Sequence, residues 1–253
     1  MKVTFLGTGT SQGVPVIACN CEVCTSADPN DKRLRTSIMI EAEGKTIVID
    51  SGPDFRYQML RAHVQLLDAI VFTHEHKDHV AGLDDVRAFN YKQQEAMDVY
   101  AVERVQKAIK REFQYIFDEY TYPGIPRVNL HTIGNGPFNI GGLEITPIEV
   151  LHYKLPVLGF RINDFTYITD AKSITDIEKE KIKGTKVLVV NALQKQTHIS
   201  HFTFDEAVEF AQSIGADKTY FTHISHRLGR HYVISQELPD GIELAYDSLQ
   251  LHL

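Results

Sequence analysis

Ile70-Val71-Phe72-Thr73-His74-Glu75-His76-Lys77-Asp78-His79 passes, within ten residues, from an apolar β-branched run to a polar segment with four side chains that can ligate a metal. The run from Asp68 to Thr73 predicts a buried strand. Neutral imidazoles and carboxylates are the donors that zinc, manganese or iron accept. Alternate residues of an extended strand end share a face, which places His74 and His76 together, and a following turn can aim Asp78 and His79 at a neighbouring point. One loop can therefore serve two metals. The competing reading is a solvated charged loop, since Glu75 and Lys77 are interleaved with the histidines.

Around this segment the chain alternates strands and helices. Lys2–Leu6 predicts a short strand, and Gly7–Arg35, rich in Gly, Ser, Asn, Asp and Cys, a long loop. A loop of that length is usually functional or held by something other than packing. Thr36–Glu41 and Lys45–Ile49 predict a hairpin turning at Glu43-Gly44, followed by a helix over Pro53–Arg61. After the histidines, Ala81–Tyr91 has helical spacing, Asp98–Val102 predicts a strand and Glu103–Phe117 an amphipathic helix. Tyr122–Arg127 is punctuated by Pro and Gly, and Asn129–Val150 predicts hairpin-like strands. Strands at Leu158–Ile162, Phe165–Thr169, Lys186–Val190 and Thr219–Thr222 and a helix at Thr203–Ile214 follow, with a short helix and strands at the end. Paired strands with helices between them predict a two-layered sheet core flanked by helices, an α/β (α+β) architecture.

The 253 residues are 43% apolar and 23% charged, ordinary globular usage that excludes disorder, a collagen-like repeat and a coiled-coil rod. A single domain over 1–253 is the expectation for that length. Twenty-six basic against 33 acidic residues give a net charge of −7, which argues against a protein that coats duplex DNA. No stretch approaches the ~20 apolar residues of a membrane span, and the opening MKVTFLGTGTSQG meets glycine before a signal-peptide apolar region forms, so the expected compartment is the cytoplasm. Gly7-Thr8-Gly9-Thr10 lacks both phosphate-loop and dinucleotide spacing and predicts a tight turn near the metals. Cys19, Cys21 and Cys24 are the only cysteines; an odd set in one short window suggests metal rather than a disulfide framework.

Thr73–His79 resembles the signature of the metallo-β-lactamase-fold hydrolases, which implies their four-layer αββα sandwich. The resemblance asks for a later histidine, an aspartate at a strand end and a final histidine, matched in order by Leu151-His152, Ile168-Thr169-Asp170 and Phe221-Thr222-His223. It implies that His74, His76 and His152 hold one divalent metal and Asp78, His79 and His223 a second, with Asp170 bridging them; manganese or zinc is the implied metal. Asp50, in Val48-Ile49-Asp50-Ser51-Gly52, is similar to a carboxylate that orients the histidine loop from behind. Singly, His152 also reads as a strand-end surface residue, Asp170 as a turn or helix cap, and His223 as a satisfied core histidine. Jointly and in order, each just past a predicted apolar strand, they point to a dinuclear centre.

Cys19-x-Cys21-x-x-Cys24, with His226 of Thr222-His223-Ile224-Ser225-His226 as the fourth donor, resembles the Cys3His zinc site of one branch of the fold, the phosphoribosyl 1,2-cyclic phosphate phosphodiesterases and their relatives. A structural zinc that anchors the loop within 7–35 is implied, against a reading of unligated or redox-active thiols. Ser200-His201-Phe202-Thr203 resembles the His-x-Thr or His-x-Ser element of the phosphodiesterases and ribonuclease Z of this fold. It implies that His201 acts at the scissile phosphate, with Asp78 as the other catalytic residue, although Thr203 equally suits a helix cap and His198 is a nearby competitor. The implied reaction is hydrolysis of a small cyclic or linear phosphodiester by a hydroxide shared between metals about 3.5–4 Å apart. Alternatives within the fold are a ribonuclease Z-like nuclease, a thioester or lactone hydrolase, and a non-catalytic zinc-stabilised binding protein. A β-lactamase role is disfavoured, because those enzymes carry cysteine at the position of Asp170. Tyr122, Lys154, Arg227 and Arg230 either face solvent or grip a phosphate. The resemblance also points to a homodimer; the expected partner is a small phosphodiester, with neither membrane nor duplex nucleic acid.

Overall fold

Residues 1–118 and 122–253 are described by the computed structural model, in which two β-sheets face each other. Strands β1 (Lys2–Gly7), β2 (Ser37–Ala42), β3 (Lys45–Ile49), β4 (Ala69–Val71), β5 (Met97–Ala101) and β6 (Val128–Thr132) build the first sheet. The second holds β7 (Phe138–Ile140), β8 (Leu143–His152), β9 (Leu155–Ile162), β10 (Phe165–Tyr167), β11 (Ser173–Ile174), β12 (Val187–Asn191), β13 (Lys218–Thr222) and β14 (Ile242–Leu244), and β15 (Gln250–His252) returns to the free side of β1. The first sheet runs β15-β1-β2-β3-β4-β5-β6 and the second β11-β8-β9-β10-β12-β13-β14, with β7 on β8. Each begins antiparallel and ends parallel: β3, β4, β5 and β6 in the first, β10, β12, β13 and β14 in the second. Parallel neighbours need crossovers, which is where the helices pack.

The layers follow from the two-residue period of the strands. Ile47 and Ile49 of β3 face the core between the sheets with Val3, Phe5, Leu158 and Phe160, whereas Val48 turns to the helices with Leu6 and Met39. In β12, Val187 and Val189 join the inter-sheet core, and Leu188 and Val190 pack under the helix Phe204–Ile214. Helix, sheet, sheet and helix thus stack in four layers. Each fully buried side chain of this size contributes about 1.5–3 kcal/mol.

Several expectations shift. β6 makes no hairpin; it runs parallel to β5, with Val128 opposite Met97, and only β7 and β8 form the hairpin expected over Asn129–Val150. The helix expected at Ala81–Tyr91 is broken into Lys77–Val80, a 3-10 turn at Leu83–Val86, and Arg87–Gln93, because the Gly82 amide donates to the Ser51 carbonyl (2.8 Å) rather than continuing the helix ladder. Gly7–Thr10 is extended rather than a tight turn: Gly9 bridges in parallel to both Arg35 and Ile224, and a Cβ at Gly7 would stand 2.0 Å from the Arg35 carbonyl. Those glycines serve close backbone approach.

Candidate active site

The expected site residues lie where strands end. Asp50 follows β3, His74–His79 follows β4, His152 ends β8, Asp170 lies after β10, and His223 follows β13. The two sheets are stitched here, since the Leu158 amide of β9 donates to the Thr73 carbonyl (3.1 Å) and the Ile224 amide to Thr8 (2.9 Å). Strand ends from both sheets therefore converge on one cluster, and Asp50, His74, His79, Asp170 and His223 are all buried.

Hydrogen bonds fix which ring nitrogen His79, His74 and His152 offer. Asp50 accepts from the Thr73 amide (2.9 Å), the Thr73 hydroxyl (2.8 Å) and Nδ1 of His79 (2.7 Å), leaving Nε2 of His79 without a partner. The Thr73 hydroxyl lies 3.0 Å from His74 Nδ1, which turns His74 Nε2 inward to within 3.0 Å of His76 Nδ1. His152 Nδ1 donates to the Ser200 carbonyl (2.8 Å). Asp170 faces both groups of histidines: Oδ2 is 3.8 Å from His74 Nε2, while Oδ1 is 3.5 Å from His79 Nε2 and 3.3 Å from His223 Nε2. Asp78 Oδ2 is 3.3 Å from His79 Nε2 and 3.8 Å from His223 Nε2.

These spacings fit cations. Donors about 2.1 Å from one ion and 90–120° apart sit about 3.0–3.6 Å from each other. Asp78, His79, Asp170 and His223 offer ligand atoms all within 4.8 Å of one another, as do His152, Asp170 and His201. Nε2 of both His79 and His223 is buried without a hydrogen-bond partner. No lysine or arginine pairs with Asp50, Asp78 or Asp170 among the described residues. A buried acidic cluster with unpartnered imidazole nitrogens is the donor set that a divalent ion completes.

The charges are tightly interdependent. Burial pushes the His74 imidazole well below its ordinary pKa, and burial together with His152 lowers His76. Burial also opposes the charged form of His79, but Asp170, Asp50 and Asp78 outweigh it and raise its pKa well above the usual value. For Asp170 burial is overcome by His223 and His79, and for Asp78 by His79 and His223, so both carboxyls fall far below their ordinary range. His201 lies between His152 and His223, tilted against the first (ring centroids 4.5 Å apart) and stacked on the second (4.7 Å), and burial drives its pKa down to about 2. Thr203 is a helix cap, as its alternative reading held: its hydroxyl accepts from the Glu206 amide (3.3 Å) while its own amide donates to Glu206 Oε2 (2.8 Å). That cap, two residues after His201, fixes the start of the helix.

Cys19, Cys21 and Cys24 gather around His226, whose Nδ1 is 3.3, 3.4 and 3.5 Å from their sulfurs. A tetrahedral zinc with bonds of about 2.1 and 2.3 Å needs separations of about 3.6 Å. The Cys24 amide holds the Cys21 thiol down to about 6, whereas burial raises that of Cys24 to about 11. Only Val14, Val23 and Cys24 form a buried apolar cluster in this loop. Of the undecided residues, Tyr122 lines a surface cavity of about 850 Å³ that contains none of the site histidines. Lys154 lies over the Tyr153 ring, Arg230 is 3.6 Å from Glu22, and Arg227 is exposed. Sequence reading missed Arg33, a buried arginine that donates to Thr8 (2.8 Å) and the Ala245 carbonyl (2.6 Å) and lies 3.0 Å from His231 Nδ1. Nothing local in the loop sequence marks it, because its partners are far along the chain.

Residues 45–224 match the family model described as the beta-lactamase superfamily domain. A solved structure described as a new diphosphatase from the PhnP family superposes with a TM-score of 0.93 at 40% identity, covering 100% of this chain and 97% of that one. A protein of Porphyromonas gingivalis named octanoyltransferase is 39% identical over 253 residues, which are 99% of this chain and 51% of that protein. A ribonuclease Z of Nostoc sp. is 25% identical over 188 residues, 72% of this chain and 51% of the relative. The chain thus spans about half the length of these two curated relatives.

Proposed function

The chain belongs to the beta-lactamase superfamily, in its PhnP-family branch, and we propose that it is a metal-dependent hydrolase of small phosphodiesters. The observation that carries the reading is the placement of His201, packed between His152 and His223 with Nδ1 buried and unpartnered at the edge of the ligand cluster. His74, His76 and His152 would hold one divalent cation, Asp78, His79 and His223 the other, and Asp170 both. Manganese or zinc there supplies Lewis acidity, which brings the pKa of water near neutrality and offsets charge on phosphate oxygens.

The protein's own groups do the rest. Asp50, Thr73 and the Ser200 carbonyl hold His79, His74 and His152 in the tautomers that turn Nε2 to the cluster. His201, neutral at physiological pH, donates an N–H to the oxygen on which charge develops as the ester bond breaks, and is a hydrogen-bond donor rather than a strong acid. Asp78 is the second catalytic residue and stays ionised beside His79 and His223. The cysteines and His226 hold a structural zinc, and the protein acts in the cytoplasm.

The test is turnover of bis(p-nitrophenyl) phosphate and of ribose and nucleoside cyclic phosphates by manganese- or zinc-loaded protein. Release of a phosphomonoester supports the reading, and inactivity on all of them rejects it. The relative named octanoyltransferase favours a second reading, thioester hydrolysis. Octanoyl thioesters belong in the same panel, beside precursor tRNA for the nuclease alternative.

A further inference from the structure

Glu75 and Lys77, the charges interleaved with the histidines, have different surroundings. The Lys77 side chain is 64% exposed and pairs with Glu112 at the end of the helix Glu103–Glu112, a surface contact of small effect. The Glu75 side chain is only 21% exposed: Oε1 pairs with Arg104 in the first turn of the same helix, and Oε2 is buried with no hydrogen-bond partner. No second lysine or arginine pairs with Glu75 among the described residues. A carboxylate this far from water depends on its one cation, and without it desolvation drives the group out to solvent. Glu75 stands between His74 and His76, so that swing would move the backbone that carries both.

Arg104 does more than neutralise Glu75. The same guanidinium donates through Nη2 to the Pro156 carbonyl (2.5 Å). Pro156 lies on β9 beside Leu155, the residue paired with His152 at the end of β8. One arginine therefore bridges the loop after β4, in the first sheet, to the hairpin that carries His152, in the second. The main-chain bond from Leu158 to Thr73 joins the same two segments two residues back on each, and Arg104 supplies the next rung, level with the histidines. Across it the His76 and His152 rings meet edge to face with centroids 5.1 Å apart, and His74 is 5.8 Å from His152.

We propose that Arg104 is a positioning residue for the candidate metal centre: by holding Glu75 and the Pro156 carbonyl together, it sets the separation of His74 and His76 from His152. The planar fork of a guanidinium suits this task, because two of its arms can serve two acceptors at once. Arg104 acts through the backbone of the loop and of the hairpin. The inference rests on the assignment of these three histidines to one cation and is independent of which ester is cut.

Manganese titration of chelator-treated protein, followed by the electron paramagnetic resonance of the free ion, tests it. Arg104→Met should weaken one of the two bound ions about tenfold, the lower end of the effect of groups that hold ligands from behind, and leave the other at its wild-type affinity. The metal-free variant should melt within about 4 °C of the metal-free wild type. Arg104→Lys, which keeps a cation on Glu75 but lacks the second arm, should restore part of the loss. Arg104→Met combined with Glu75→Gln should bind no more weakly than Arg104→Met alone, since both break one bridge, and Lys77→Met should bind as the wild type does. Unchanged affinity in Arg104→Met, equal weakening of both ions, additive losses in the double variant, or an equal loss in Lys77→Met overturns the proposal. Should Arg104→Met not fold, wild-type affinity in both Glu75→Gln and Arg104→Lys overturns it, and weakening of one ion in Glu75→Gln upholds it. A wild type that binds no manganese rejects the metal centre and the bridge's role with it, whereas two ions unmoved by Arg104→Met reject the bridge alone.

Discussion

Asp50, Asp170 and His223 all sit in the left-handed backbone region, with φ of 65°, 59° and 55°. A non-glycine residue there carries a cost of order 1–3 kcal/mol, which surrounding contacts must offset. At these three strand ends the turn aims a side chain into the cluster instead of along the strand. The residue types were legible in the sequence, because histidine and aspartate past apolar runs stand out; the backbone geometry was not, because only tertiary contacts impose it. Asp50→Ala removes the acceptor for both Thr73 and His79, so metal affinity should fall about 10–100-fold, read by titration; unchanged affinity would contradict the orienting role. Asp170→Ala should lose both bound metal and turnover. His201→Ala should retain metal yet lose about 10²–10³ in kcat, and a metal-depleted His201 variant would make the residue a ligand instead of a donor to substrate.

Elements carry these residues, and two loop approaches decide their placement. A Cβ at Gly52 would stand 2.0 Å from the Asp78 carbonyl, so Gly52→Ala must push the turn that holds Asp78 and His79 off the strand β3. Overpacking of this kind costs about 1–3 kcal/mol, and the expected result is a lowered melting temperature together with a larger loss of activity than of fold. The loop over 7–35 was legible as one with little apolar packing of its own, and the cysteine spacing as a candidate metal site that would fasten it. The contacts of Arg33 with Thr8 and the Ala245 carbonyl were not legible, and neither was the place of β6 in the first sheet, because both depend on partners distant in sequence. Cys21 has its thiol lowered from 9.0 to about 6, so its thiolate's contribution to the folded loop is complete above about pH 9 and is lost as pH falls through about 6. Protons compete with metal for the same sulfur. Zinc held by these cysteines should therefore be released on acidification through about pH 6 to 5 and be absent in Cys21→Ala; retention of stoichiometric zinc in that variant would reject ligation by Cys21.

Across the whole molecule, the candidate ligands divide between the sheets: His74, His76, Asp78 and His79 hang from the first, and His152, Asp170 and His223 from the second. Cations held by all of them would cross-link two halves that otherwise meet through the apolar core and a few backbone bonds such as Leu158 to Thr73. The cysteine site would add a separate link, from the 7–35 loop to the segment after β13. An ion that binds only the folded state stabilises it by about 2.7 kcal/mol at a free concentration 100 times its dissociation constant. For a chain of this size, each kcal/mol moves the melting temperature by about 2–4 °C. Manganese titrated into chelator-treated wild type should therefore raise the melting temperature by about 5–10 °C, and the rise should vanish in Asp170→Ala but persist in Cys21→Ala. An equal rise in Asp170→Ala would mean that the ion binds elsewhere, and the joining of the two sheets through the histidine cluster would then have no support.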